Sequence, residues 1–163
     1  MQAVVWLSRA AVDEISAEAD HHYELETGGS FMGYWADDRA AVVTRVIPAG
    51  PNAHRSRRSF KPDQDWQLAA IAEHYARSDR RDTYLGDWHT HPNARAAVLS
   101  WTDRACLKAI IKTPKARTTL PIMMLVCGAP GGWSFHPKVC RLIRRYRVFE
   151  MIEAIDTSVA TYE

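Results

Sequence analysis

Residues 86–103 read GDWHTHPNARAAVLSWTD, and no other stretch constrains the chain as strongly. His89 and His91 flank a single threonine at the end of the run TYLGDWHTH, which reads as a strand. Side chains at i and i+2 of a strand leave the same face about 6.6 Å apart along the axis, so both imidazoles can converge on one cation. Pro92 closes the strand. Beyond it, SWTD has the form of a capping box, with Ser100 as N-cap and Asp103 at the third helical position. Strand-like and helical segments interleave along the chain, which points to one α/β or α+β domain.

Two histidines and one carboxylate leave a coordination position free on a tetrahedral zinc, which is the pattern of catalytic sites. Three ligands along one straight strand cannot close around an ion, so the third must come from another element. Asp103 is the preferred candidate. Asp87 shares the histidine face but is collinear with the pair, and is assigned as a candidate partner to an imidazole N–H. Hydrolysis also needs a base for the water, whose pKa zinc lowers toward ~7. The stretch ELETGGSFMGYW offers Glu24 and Glu26 at the start of a glycine-rich strand. Residue chemistry alone leaves both open.

Strand-like and helical segments alternate along the rest of the chain. AVVWLS reads as a strand, followed by a helix capped by Ser8 with Ala11, Val12, Ile15 and Ala19 at helical spacing. AAVVTRVIPAG is a further strand and PNAHRSRRSFKP a loop. DQDWQLAAIAEHYARS is a helix patterned by Trp66, Ala69, Ala70, Glu73 and Tyr75. The SWTD helix is stopped by Pro114, LPIMMLVCG is a buried strand, and APGG turns into WSFHP. The tail VCRLIRRYRVFEMIEAI fits a strand or a helix equally well. No repeat or linker divides the 163 residues, so residues 1–163 are expected to form one domain.

A formal charge of +2 gives no general support for a nucleic-acid surface. Local arginine clusters, such as Arg55, Arg57 and Arg58, read as solvated faces. Cys106, Cys127 and Cys140 lack metal or redox spacing, and Cys106 and Cys127 are expected to be core thiols. The other histidines, His21, His22, His54, His74 and His136, read as surface or loop residues, with His54 a candidate for lining a groove. The short apolar run before Arg9 is too brief for a leader or a membrane span, and a reducing cytoplasm is the expected compartment.

Glu26 with TGGSFMGY, then GDWHTHP, then SWTD, resembles the JAMM or MPN-domain metalloproteases, whose signature is a glutamate, H-x-H-P and S-x-x-D in that order. The resemblance implies a single MPN domain, a curved mixed sheet flanked by helices, with one zinc per chain held by His89, His91 and Asp103. It selects Glu26 as the base and assigns Ser100 to the oxyanion. It implies cleavage of a peptide or isopeptide bond after the C-terminus of a ubiquitin-like protein. The wording is most similar to the compact bacterial branch found in CBASS-type and Bil-type antiviral operons, which makes a ubiquitin-like protein or its conjugate the expected substrate and E1- and E2-like proteins candidate partners. Neither a membrane nor a nucleic acid is expected as a partner. Pro92 to Leu99 is one residue longer than the usual spacer. The competing readings are a metal hydrolase of DNA metabolism and a non-catalytic scaffold, and joint retention of Glu26, His89, His91, Ser100 and Asp103 argues against the scaffold.

Overall fold

The structure is a computed structural model that describes residues 3–163. In chain order the elements are β1 (Val4–Ser8), α1 (Arg9–His21), β2 (Gly28–Trp35), β3 (Ala40–Ile47), β4 (His54–Arg55), β5 (Phe60–Lys61), α2 (Gln64–Arg77), β6 (Thr83–Pro92) and α3 (Trp101–Ile111). A short 3-10 turn at Pro114–Ala116 precedes β7 (Ile122–Gly128), β8 (Ser134–Arg145), β9 (Phe149–Asp156) and β10 (Ser158–Tyr162). Eight strands form one mixed sheet in the order β10-β1-β3-β2-β6-β7-β8-β9, and β4 with β5 forms a separate two-stranded hairpin. The sheet curves: its two edge strands, β9 and β10, are joined through Thr157 alone. This is the curved mixed sheet with flanking helices that the resemblance implies. No helix among the described residues is long and apolar enough to cross a membrane.

Central strands buried on both faces read as continuous apolar runs instead of alternating ones. The first six residues of β2 and of β7 are all buried. One face packs with α1, where Ala11 and Ile15 meet Phe31, Val43, Leu85, Trp88 and Met124. The other packs with α3, where Leu107 meets Met123, Leu125 and Cys127. Ser8 caps α1 as expected, its Oγ accepting from Ala11 N–H at 3.1 Å.

Three expectations change. In α2 the buried residue is Gln67, whose Nε2 donates to the Pro48 carbonyl, while Trp66 is exposed. The helix therefore faces the sheet through a polar side chain that satisfies a backbone carbonyl, which hydrophobic spacing could not indicate. The basic loop contains the hairpin β4–β5. The ambiguous tail is a β-hairpin, turned by Tyr146 and Arg147, both with positive φ, without the usual glycine or asparagine.

Asp82, immediately before β6, ties that strand to two neighbours. Its buried carboxylate accepts from Thr44 Oγ1 of β3 at 2.6 Å and lies 2.9 Å from His74 Nε2 of α2. His74 is thus half-buried and bonded. Burial alone would raise the Asp82 carboxyl, but the Thr44 and His74 contacts outweigh it and hold it below its ordinary value of 3.8. A depressed folded pKa contributes stability that is present above the unfolded value and lost as pH falls through the folded one. Asp82→Ala is expected to cost about 3 kcal/mol at neutral pH, as for one member of a buried pair, and to weaken the loss of stability below about pH 4. Urea melts at several pH values check this; an unchanged acid limb would exclude the assignment.

Candidate metal centre and active site

β6 runs antiparallel to β2, with Gly28 opposite His89, and parallel to β7, with His91 opposite Cys127. The β2–β6 register shifts between Phe31 and Met32. Asp87, His89 and His91 then alternate onto one face, and Asp87 accepts from Ser30 Oγ at 2.8 Å and from the Tyr84 hydroxyl. Among the described residues no hydrogen bond joins Asp87 to an imidazole, so the expected link from Asp87 to the histidines is absent.

The structure brings His89, His91 and Asp103 together. His89 Nε2 lies 3.0 Å from His91 Nε2 and 3.4 Å from Asp103 Oδ1. One nitrogen or oxygen from each of the three residues lies within 4.8 Å of the others. Bonds of ~2.0–2.1 Å at tetrahedral angles would place neighbouring ligand atoms about 3.3 Å apart, close to the two separations from His89 Nε2, and the donor types suit a cation of that size. Burial lowers the pKa of His91, and the adjacent His89 lowers it further, while Asp103 opposes them. The neutral imidazole that results is the form that binds metal.

The capping box and the cluster share Asp103. Ser100 N–H donates to Asp103 Oδ2 at 2.7 Å, and Ser100 Oγ accepts from Asp103 N–H at 3.1 Å. The helix start thereby fixes one carboxylate oxygen and leaves the other facing His89. Burial would raise Asp103, but its hydrogen bond to His89, the His89 charge and the Ser100 contacts hold it down at about 2. The longer spacer is pinned as well. Asn93 adopts positive φ, its N–H donates to the Gly128 carbonyl, its Oδ1 accepts from the Tyr23 hydroxyl at 2.8 Å, and Leu99 is buried.

Glu26 and Glu24 separate clearly. Glu24 Oε2 accepts from Arg57 Nη2 at 2.7 Å, whereas Glu26 lines the cleft that contains His89, His91, Ser100 and Asp103. Burial raises the Glu26 carboxyl; His89 lowers it and Asp103 raises it further. A carboxylate moved up in this way is better suited to taking and returning a proton near neutral pH.

The cleft has a volume of about 330 Å³, and the hairpin segment Arg58–Pro62 forms part of its lining. By composition this segment is only a loop, and no spacing signal points to it. His54, the candidate groove residue, is on β4 and does not line the cleft. Cys106 is also a correction. It is exposed and lines the cleft instead of the core, while Cys127 is buried as expected. Crowding by the cleft walls and the charges of Asp87 and Asp103 push the accessible Cys106 thiol up to about 11, which leaves little thiolate for nucleophilic attack.

Gly28 is required by close approach. A Cβ there would fall 2.3 Å from the Trp88 carbonyl oxygen and 2.8 Å from His89 Cβ. Gly28→Ala is expected to part β2 from β6 beside His89, at a cost of about 1–3 kcal/mol, and to lower metal occupancy. Wild-type melting and metal content together would show that the contact is not constraining.

The family described as prokaryotic homologs of the JAB domain matches residues 8–142. A probable metalloprotease, y4qB, of Sinorhizobium fredii (strain NBRC 101917 / NGR234) is 45% identical over 163 residues, covering 100% of this chain and 99% of that protein. The CD-NTase/cGAS isopeptidase of Escherichia coli (strain TW11681) is 23% identical over 130 residues, 80% of this chain and 79% of that protein. The solution structure of protein DSY2949 from Desulfitobacterium hafniense shares the fold, with a TM-score of 0.67 at 18% identity over 98% of this chain and 93% of that one. With the family match spanning most of its length and a probable metalloprotease similar to it from end to end, the chain belongs to the prokaryotic branch of the JAB-domain metalloproteases.

Proposed function

We propose that this chain is a zinc-dependent isopeptidase or peptidase that cleaves after the C-terminus of a ubiquitin-like protein, acting as one domain in the cytoplasm. The observation that carries the reading is the convergence of His89, His91 and Asp103 in a cleft that also holds Glu26. The three would hold one zinc. Bound there, zinc would polarise the scissile carbonyl and acidify a neighbouring water. Glu26 takes a proton from the attacking water on its carboxylate. It then delivers that proton to the leaving nitrogen as the C–N bond breaks. Ser100 Oγ accepts from Asp103 N–H and its side chain also contacts the Asp103 carboxylate; in this reading the hydroxyl turns to the oxygen that gains charge.

The similarity to a protein named as a CD-NTase/cGAS isopeptidase supports a protein conjugate as substrate, and the sequence resemblance extends the proposal to E1- and E2-like partners in an antiviral operon. The sequence resemblance to enzymes that act on ubiquitin-like C-termini favours small residues before the scissile bond. The test is a ubiquitin-like protein carrying a C-terminal extension, incubated with the enzyme beside single- and double-stranded DNA. Cleavage at the junction, abolished by a chelator and restored by zinc, is expected. Zinc-dependent DNA cleavage without proteolysis would replace this reading with a nuclease.

Ser100→Ala separates two roles of one side chain. Loss of the cap costs about 1 kcal/mol of stability, and loss of the oxyanion donor slows turnover ~10²-fold or more. Assays well below the melting temperature isolate the second effect. A zinc-loaded variant with full activity would reduce Ser100 to a cap.

A further inference from the structure

The hairpin β4–β5 and its flanks carry five cations at positions 54–61 if His54 is counted, and they divide into two groups. Arg55 is bound within the fold, its Nε donating to Thr27 Oγ1 at 2.9 Å and its Nη2 to Glu18 Oε1 at 3.1 Å. Arg57 is held by Glu24. His54 lies outside the cleft. Arg58 and Lys61 differ: both line the cleft, both are exposed, and neither side chain has a hydrogen bond or ion pair among the described residues.

The carboxylates of the cleft do not answer them. Asp103 is engaged by Ser100 and His89, and Asp87 by Ser30 and Tyr84. The charges that act on Glu26 are those of His89 and Asp103. The two cations therefore line the same cleft as the cluster without a partner of their own among the described residues, so a chain bound in that cleft would pass both.

We propose that Arg58 and Lys61 form a subsite for a carboxylate on the substrate, so that the preferred tail is acidic beside the scissile bond and a basic tail is rejected. This rests on the peptidase reading of the same cleft. The carboxylate has two possible sources, an Asp or Glu side chain in the tail or the free α-carboxylate of a short leaving segment. Like charges facing each other across a cleft suppress wrong partners, and rim charges act mainly on encounter and selection. An exposed ion pair contributes a few-fold in binding, so two together give on the order of tenfold.

The experiment uses fluorescein-labelled peptides of equal length with small residues before the bond and acidic, neutral or basic residues flanking it. A further neutral peptide is made with a free or an amidated C-terminus. Binding is read by anisotropy on the Glu26→Gln protein at low and high salt, and kcat/KM on the wild type. The acidic peptide is expected to lead the basic one by on the order of tenfold at low salt, and Arg58→Glu/Lys61→Glu to reverse the order. A preference confined to the free C-terminus assigns the subsite to a chain end. Equal binding of acidic and basic peptides, no binding of the acidic peptide, or a ranking unmoved by charge reversal overturns the proposal. Acidic binding without cleavage of any peptide keeps the subsite and sinks the peptidase reading; cleavage without charge ranking does the opposite.

Discussion

Glu26→Gln is expected to keep its metal and its fold while turnover falls by ~10²–10⁴-fold, the usual contribution of general acid–base catalysis. The amide is nearly the same shape as the carboxylate but cannot accept a proton from water. The half-buried setting that raises the Glu26 carboxyl also makes the neutral amide easy to accommodate, so little stability should be lost. Glu24→Gln is the matched control. It removes an exposed pair with Arg57 and should leave turnover close to wild type. Single-turnover rates at saturating substrate compare the two, and the reverse ranking would reassign the base.

Asp103→Asn is expected to abolish activity through loss of the metal instead of loss of the base. Asp103 uses one oxygen for Ser100 N–H and the other toward His89. An asparagine has one carbonyl oxygen, so it can serve the cap or the cation but not both, and it carries no charge for the ion. Helix α3 should survive with a cost of about 1 kcal/mol, while metal content falls toward zero. His89→Ala and His91→Ala should lose metal as well. Asp87→Asn should not, because Asp87 is bonded to Ser30 and Tyr84. Elemental analysis of the purified variants decides. Full metal in Asp103→Asn beside empty Asp87→Asn would move the third ligand to β6.

The cluster was legible in the sequence because each half is local. His89 and His91 need only a strand, and Ser100 and Asp103 need only a helix start, so spacing alone orients them. Pairing the two halves in space required the parallel contact of β6 with β7 and the packing of α3 on that face, which no local pattern encodes. Choosing Glu26 over Glu24 depended on family resemblance; in the folded chain Glu26 lines the cleft while Glu24 pairs with Arg57. The wall at Arg58–Pro62 was illegible for a different reason. Its strands are two residues each, too short for alternation to register. The β8–β9 hairpin was hidden because Tyr146 and Arg147 occupy turn positions that glycine or asparagine usually announce. Cys106 was misplaced because a cysteine among apolar residues on a helix does not reveal which flank of the helix meets the core.

The most direct measurement is a zinc titration of metal-free protein, followed by calorimetry and by turnover of a ubiquitin-like fusion in the same samples. With His89, His91 and Asp103 as ligands, binding should saturate at about one zinc per chain, turnover should rise in step with occupancy, and the His89→Ala/His91→Ala protein should show neither. Full turnover in the metal-free protein, or undiminished one-site binding in that double variant, would contradict the account.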